Sequence, residues 1–96
     1  GLHTHQRAID AGDTEHGVTV HFVTEELDDG PNVIQAVVTI SSDDTADALQ
    51  QRVRQQEHII YPIAVKWFVS GRLTMKDNQA MLDGIALPAG GLRLEQ

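Results

Sequence analysis

Apolar and polar positions along the chain change their period twice. Thr4–Ala11 places Ala8, Ile9 and Ala11 on one side of a short helix that stops at Gly12-Asp13. Val18–Val23 then alternates: Val18, Val20 and Phe22 share one face of a strand, and Thr19, His21 and Val23 the other. Asn32–Ile40 repeats the pattern with Ile34, Ala36, Val38 and Ile40 on one face, and it is rich in β-branched residues. Both faces of these strands are largely apolar, as expected of a covered sheet. Ser42-Asp43-Asp44 is read as the cap of a helix of about 25 residues, with acids at the end its dipole favours. Ala46, Leu49, Val53, Ile60, Ile63, Ala64 and Trp67 form that helix's apolar stripe.

Tyr61, Trp67 and Phe68 lie near the helix's end, so the core is expected to be densest there. Pro62 removes an amide donor inside the pattern and predicts a kink near His58–Pro62, and Ser70-Gly71 ends the helix. Arg72–Met75 and Ala80–Ile85 are expected to form a small hairpin around Lys76–Gln79, with Pro88–Gly91 and the polar end as a frayed tail. Two main strands and one long helix do not close a core, because the helix covers one sheet face and something must cover the other. The expectation is half of an α/β domain. The opening Gly1-Leu2-His3-Thr4-His5, with no initiating Met, leads to the same expectation of an excerpt.

Composition narrows the function classes. The chain has 96 residues, with 7 basic against 14 acidic side chains and a net charge of −7. No basic cluster supplies the footprint of a nucleic-acid binder, and no apolar run approaches the ~20 residues of a membrane span. The absence of cysteine leaves no disulfide or thiolate chemistry and fits a reducing, cytoplasmic setting.

Three groups of residues invite chemistry. The five histidines, His3, His5, His16, His21 and His58, follow no metal-ligand spacing, so surface and packing roles are expected and no metal. Glu25, Glu26, Asp28 and Asp29 crowd the Thr24–Pro31 link, which ends in Asp-Gly-Pro turn chemistry. They are either solvated turn acids or, for one beside a histidine, a carboxylate that orients the imidazole and raises its pKa. Glu57 falls about 80° round the helix from Leu49, on the shoulder of the apolar stripe between Ala64 and Phe68. It either snorkels at a core boundary or points into a cleft. No Gly-rich phosphate loop, nucleophile elbow or dinucleotide fingerprint is present.

Taken together, three blocks of residues are specific. They are Gly1-Leu-His-Thr-His5; Gly12-Asp-x-x-His16-Gly-Val-Thr-Val-His-Phe-Val23-Thr-x-Glu-Leu-Asp28-x-Gly-Pro31; and Gln56-Glu-His-x-Ile-Tyr-Pro62. With Trp67-Phe68, Gly71-Arg-Leu73, Leu82-Asp-Gly84 and Leu87-Pro88, they resemble the C-terminal half of the phosphoribosylglycinamide formyltransferase family along essentially the whole chain. The resemblance implies part of one Rossmann-like α/β formyltransferase domain over residues 1–96, with two main strands, one long kinked helix and a small terminal hairpin. It implies formyl transfer from 10-formyltetrahydrofolate to the amine of glycinamide ribonucleotide.

Residue by residue, Asp28 matches the acid that pairs with a catalytic histidine. Val23, Thr24, Glu25, Glu26 and Leu27 match the backbone lining the pterin pocket of the folate. Glu57 matches a carboxylate that contacts the ribonucleotide, and His21 lies on the strand feeding the site. The family's Asn-x-His-Pro-Ser motif and Gly-rich phosphate loop are both absent here. The implied partner is therefore a missing N-terminal half, and inactivity alone is expected, with self-association open to the fragment. A formyltetrahydrofolate deformylase shares the Asp-x-Gly-Pro loop but not the first block. Methionyl-tRNA formyltransferase would carry a basic extension. A non-catalytic binding or scaffold module and a metal-binding module complete the alternatives.

Overall fold

The computed structural model describes residues 2–23 and 30–95. Helix α1 (Leu2–Asp10) ends as expected at Gly12, whose amide donates to Ile9 O at 3.0 Å while that of Asp13 reaches Ala8 O at 3.1 Å. Strands β1 (Glu15–His21) and β2 (Asn32–Thr39) pair antiparallel, Val18 opposite Ala36 and Val20 opposite Ile34, with an irregularity between Val20 and His21. β1 begins and ends earlier than Val18–Val23, because Glu15 and His16 already pair with Thr39 and Val38.

Helix α2 spans Ala46–Val69 and passes through Pro62 without ending. Its N-cap is Thr45, whose hydroxyl accepts from Ala48 N at 3.1 Å, and not the Ser42-Asp43-Asp44 run. Asp44 is committed to the turn before the helix. It accepts from Ser41 N at 2.6 Å and from Arg52 Nη1 and Nη2 at 2.9 and 2.7 Å, while Nη2 also donates to Thr39 O at 2.8 Å. The Arg52 hydrogen bonds, and then the Ser41 amide, hold the Asp44 carboxyl at a pKa of about 2.

Two corrections concern the end of the chain. The expected frayed tail is a strand, β6 (Leu92–Glu95), which lies parallel to β2 with Leu92 beside Ile34 and Leu94 beside Ala36. The main sheet thus has three strands, in the order β1-β2-β6. Gly91 makes the turn into β6. Its φ is +81°, and a Cβ there would stand 2.6 Å from Val33 C and 2.7 Å from Ile34 N. Only glycine lets the chain pass that close to β2 in a left-handed conformation. The expected single hairpin is a three-strand meander of β3 (Leu73–Lys76), β4 (Gln79–Leu82) and β5 (Ile85–Ala86). Asp77 and Asn78, at φ 51° and 62°, form its first two-residue turn, the positive-φ geometry that matches strand twist. Asp83 closes the second by accepting from Arg72 Nε and Nη2 at 2.9 and 2.8 Å while its amide donates to Arg72 O.

The main core joins Val33, Ile34 and Ala36 of β2 to Ile60 and Ala64 of α2 and to Leu73 and Ala80 of the small sheet. A second cluster, Val38, Leu49 and Val53, receives Ile9 from α1. The expected concentration of aromatics in the core is not found. Trp67 packs at the margin, but Tyr61 and Phe68 lie on a different side of α2 and are exposed. Beyond the core, the opposite face of the main sheet carries Thr19, Gln35 and the ion pair of Arg93 with Glu15 at 3.0 Å.

Candidate active site at the end of the first strand

Beyond β1 the chain is pinched. Phe22 N donates to Pro31 O at 3.0 Å, and Gly30 N donates back to Phe22 O at 2.8 Å. These two bonds close the base of the acidic link. Gly30 is required at this point, since a Cβ would press on the Phe22 carbonyl oxygen and lie 2.8 Å from its carbon and 3.0 Å from Phe22 Cβ. Asn32 Nδ2 ties the same end of the link to Ala89 O at 3.0 Å. His21 Nδ1 lies 3.1 Å from Phe22 O, so that nitrogen carries the proton, because a carbonyl can only accept.

An open groove of about 330 Å³ adjoins the pinch. Val20, Phe22 and Val23 line it from the β1 side and Ala64, Val65 and Phe68 from α2, with His21 contributing a polar group. The Phe22 and Phe68 rings meet edge-on, with centroids 6.5 Å apart.

Of the residues singled out in the sequence, Thr24, Glu25, Glu26, Leu27 and Asp28 lie outside the described residues. Val23 enters the groove's rim and is 72% exposed. Glu57 is half-buried on α2, seven residues before Ala64 and so about 10 Å along the axis, and it does not line this groove. Sequence reasoning missed the Phe22–Gly30 clamp, whose only signal was the Asp-Gly-Pro string. It also assigned Phe68 to the core instead of the groove.

A second cluster joins α1 to β1. The His5 and His16 rings stand 5.0 Å apart at 68°. Burial pushes the His16 pKa below its ordinary 6.5, and His5 adds to the shift, while Asp13 opposes both. A histidine depressed in the fold binds fewer protons than in the unfolded chain, so its penalty is absent well above pH 6.5 and grows as pH falls below it. The thermal midpoint of the chain is accordingly expected to be lower at pH 5.5 than at pH 7.5, with the difference reduced in His16→Asn. Equal pH sensitivity in the two proteins would refute this. Among the described residues no three His, Asp or Glu side chains stand together as a metal site. No described helix is long and apolar enough to cross a membrane.

Known proteins are similar to this chain in sequence and fold. The chain is 57% identical over 91 residues to phosphoribosylglycinamide formyltransferase of Haemophilus influenzae, covering 95% of this chain and 43% of that protein. It is 50% identical over 96 residues to the Escherichia coli protein of the same name, covering all of this chain and 45% of that one. Among solved structures, phosphoribosylglycinamide formyltransferase from Coxiella burnetii, in complex with CHES, superposes with a TM-score of 0.88 at 50% identity. That match covers 98% of this chain and 44% of the other. The chain thus spans less than half the length of the relatives it matches. Residues 1–65 match the family described as Formyl transferase, and to that family the chain belongs.

Proposed function

We propose that this chain supplies the folate-loop and catalytic-acid half of a phosphoribosylglycinamide formyltransferase site. The carrying observation is the clamp that Phe22 makes with Gly30 and Pro31. It anchors the link that bears Asp28 at both ends, two residues from the acid on one side, beside an apolar groove. In the proposed role, Asp28 acts from this tethered link on a reacting group beside it.

In this reading the amine lone pair of glycinamide ribonucleotide attacks the formyl carbon of 10-formyltetrahydrofolate. A C–N bond forms, the carbonyl oxygen takes the charge, and collapse breaks the bond to the folate nitrogen. That nitrogen recovers the proton the amine gives up. Asp28 holds a histidine of the remaining half in its charged form and orders the water that relays this proton. That imidazolium, with an asparagine also from the remaining half, stabilises the oxyanion. The backbone of Val23–Leu27 lines the pterin, and Glu57 accepts hydrogen bonds from ribonucleotide hydroxyls. Because the partner histidine and asparagine are not in these 96 residues, the chain alone is expected to be inactive. The setting is cytoplasmic, and no metal takes part.

The test is to assay formyl transfer by the chain alone and by a graft in which it replaces the matched 45% of the Escherichia coli relative. No turnover is expected alone, and turnover in the graft. A folded graft that transfers nothing to glycinamide ribonucleotide overturns the reading. So does one that only releases formate, as a deformylase would.

A further inference from the structure

The main sheet ends on β6. Its inner side pairs with β2 over four residues in unbroken parallel register, and no described strand pairs with its outer side. An unpaired edge presents a row of amides and carbonyls to whatever strand meets it, and proteins commonly blunt such edges with proline, lysine or a bulge. β6 has none of these: its residues are Leu92, Arg93, Leu94 and Glu95. The strand alternates as the rest of the sheet does. Leu94 packs against the main core, and Leu92, on the same face, is 40% exposed. Arg93 lies on the opposite face beside Gln35, where it meets Glu15. The other edge of the sheet, β1, leads into the groove at Phe22, so β6 is the edge away from the candidate site.

The order of charges in β6 indicates the occupant. Two copies of the strand laid antiparallel meet only in registers that join residues of like parity, because each pair across a ladder shares a face. Centred on Arg93, the pairing sets arginine against arginine, and centred on Glu95 it sets glutamate against glutamate. Centred on Leu94, it sets Arg93 of each copy opposite Glu95 of the other, twice, with leucine against leucine between them. Opposite charges facing across a ladder stabilise it, and like charges destabilise it. We propose that β6 is a self-complementary edge through which a second copy of this chain docks about a two-fold axis at Leu94. The two sheets become one of six strands, in the order β1-β2-β6-β6-β2-β1, a common size. The contact is isologous, so the assembly closes at two copies and does not grow into a fibre. Two short strands make a weak interface, in the class that buries less than about 1,200 Å². Docking here leaves the groove beside β1 uncovered.

Charge reversal tests this with an internal rescue. Sedimentation equilibrium of the chain, carried to about 1 mM at physiological ionic strength, should show the average mass rising towards twice that of one chain. At that ionic strength the net charge of −7 on each copy is screened beyond about 8 Å, while pairs in contact are not. Glu95→Arg sets arginine against arginine and should weaken association by about tenfold. Arg93→Glu sets glutamate against glutamate and should do the same. It also gives up the exposed pair with Glu15, which adds little to stability. An equimolar mixture of the two variants has opposite charges at both places and should associate as the parent does, which also shows that each variant is folded. A parent chain that stays monomeric to that concentration overturns the proposal. Association that neither variant weakens assigns self-association to another surface and overturns it equally, as does a mixture that stays dissociated. The graft, assayed for formyl transfer and for mass, separates this claim from the preceding one. An active graft that stays monomeric refutes the self-docking edge alone, and a dimeric graft that transfers nothing refutes the transferase reading alone.

Discussion

Asp28→Asn is expected to lower formyl transfer in the graft by about 10²–10⁴-fold while its thermal midpoint stays where it was. Asparagine keeps the size and one oxygen of aspartate but loses its charge. It cannot hold a neighbouring imidazolium in its charged form, and it loses the carboxylate that orders the relay water. Neither loss touches the core, which is built from β2, α2 and the small sheet. The adjacent Asp29→Asn gives the internal comparison. If the link merely presents negative charge to solvent, the two changes are equivalent. If Asp28 has the role assigned to it, only its loss is severe. A rate within threefold of the parent for Asp28→Asn would remove the acid from the mechanism. Glu57→Gln should behave differently, raising KM for glycinamide ribonucleotide with kcat largely kept, because a binding contact present equally in ground and transition states is uniform binding.

The elements with long periodic patterns were legible in the sequence for a simple reason. Twenty-four residues of α2 repeat their apolar period through Leu49, Val53, Ile60 and Ala64, all of which are buried, and Ile34, Ala36 and Val38 recur at every second position of β2, with Val33 buried beside them. Short elements carry too few repeats to be seen. Leu92 and Leu94 alternate as strand residues do, but two positions after Gly90-Gly91 are indistinguishable from a polar tail. What makes them a strand is β2, more than fifty residues away in sequence. The cap was misplaced because Asp43, Asp44 and Thr45 are all good capping residues. Only the tertiary demand of Arg52 and Ser41 on Asp44 leaves the role to Thr45. The aromatics misled for a further reason. Tyr61 and Phe68 are exposed, because they point to a side of α2 that faces away from the sheet, so the rule that large aromatics are buried does not hold for them. At the site, the resemblance selected Asp28 and Glu57, which periodicity left undecided. The clamp at Phe22 was not legible, because two backbone hydrogen bonds leave no trace in side-chain chemistry beyond a glycine before a proline.

That glycine carries the largest expected effect on stability. Gly30→Val should lower the thermal midpoint of the isolated chain by about 15 °C, equivalent to roughly 3 kcal/mol in a domain of this size. The atoms a new Cβ would meet are the carbonyl oxygen and carbon of Phe22, backbone at the end of β1, and not the tip of a side chain that could swing away. Residue 30 must therefore move, and its bond to Phe22 O breaks along with that from Phe22 N to Pro31 O. Once Phe22 is free to shift, its edge-on contact with Phe68 is lost and the groove opens. Gly30→Ala should give a smaller loss of the same kind, since alanine brings the clashing carbon without the two further methyls of valine. The pairing of stability with function is the discriminating result. Asp28→Asn removes chemistry from an intact link, whereas Gly30→Val detaches the link that carries it, so the second should lose formyl transfer and thermal stability together. A Gly30→Val graft that keeps full transfer would show that the position of Asp28 does not depend on the clamp, and the argument that joins the fold to the site would fail with it.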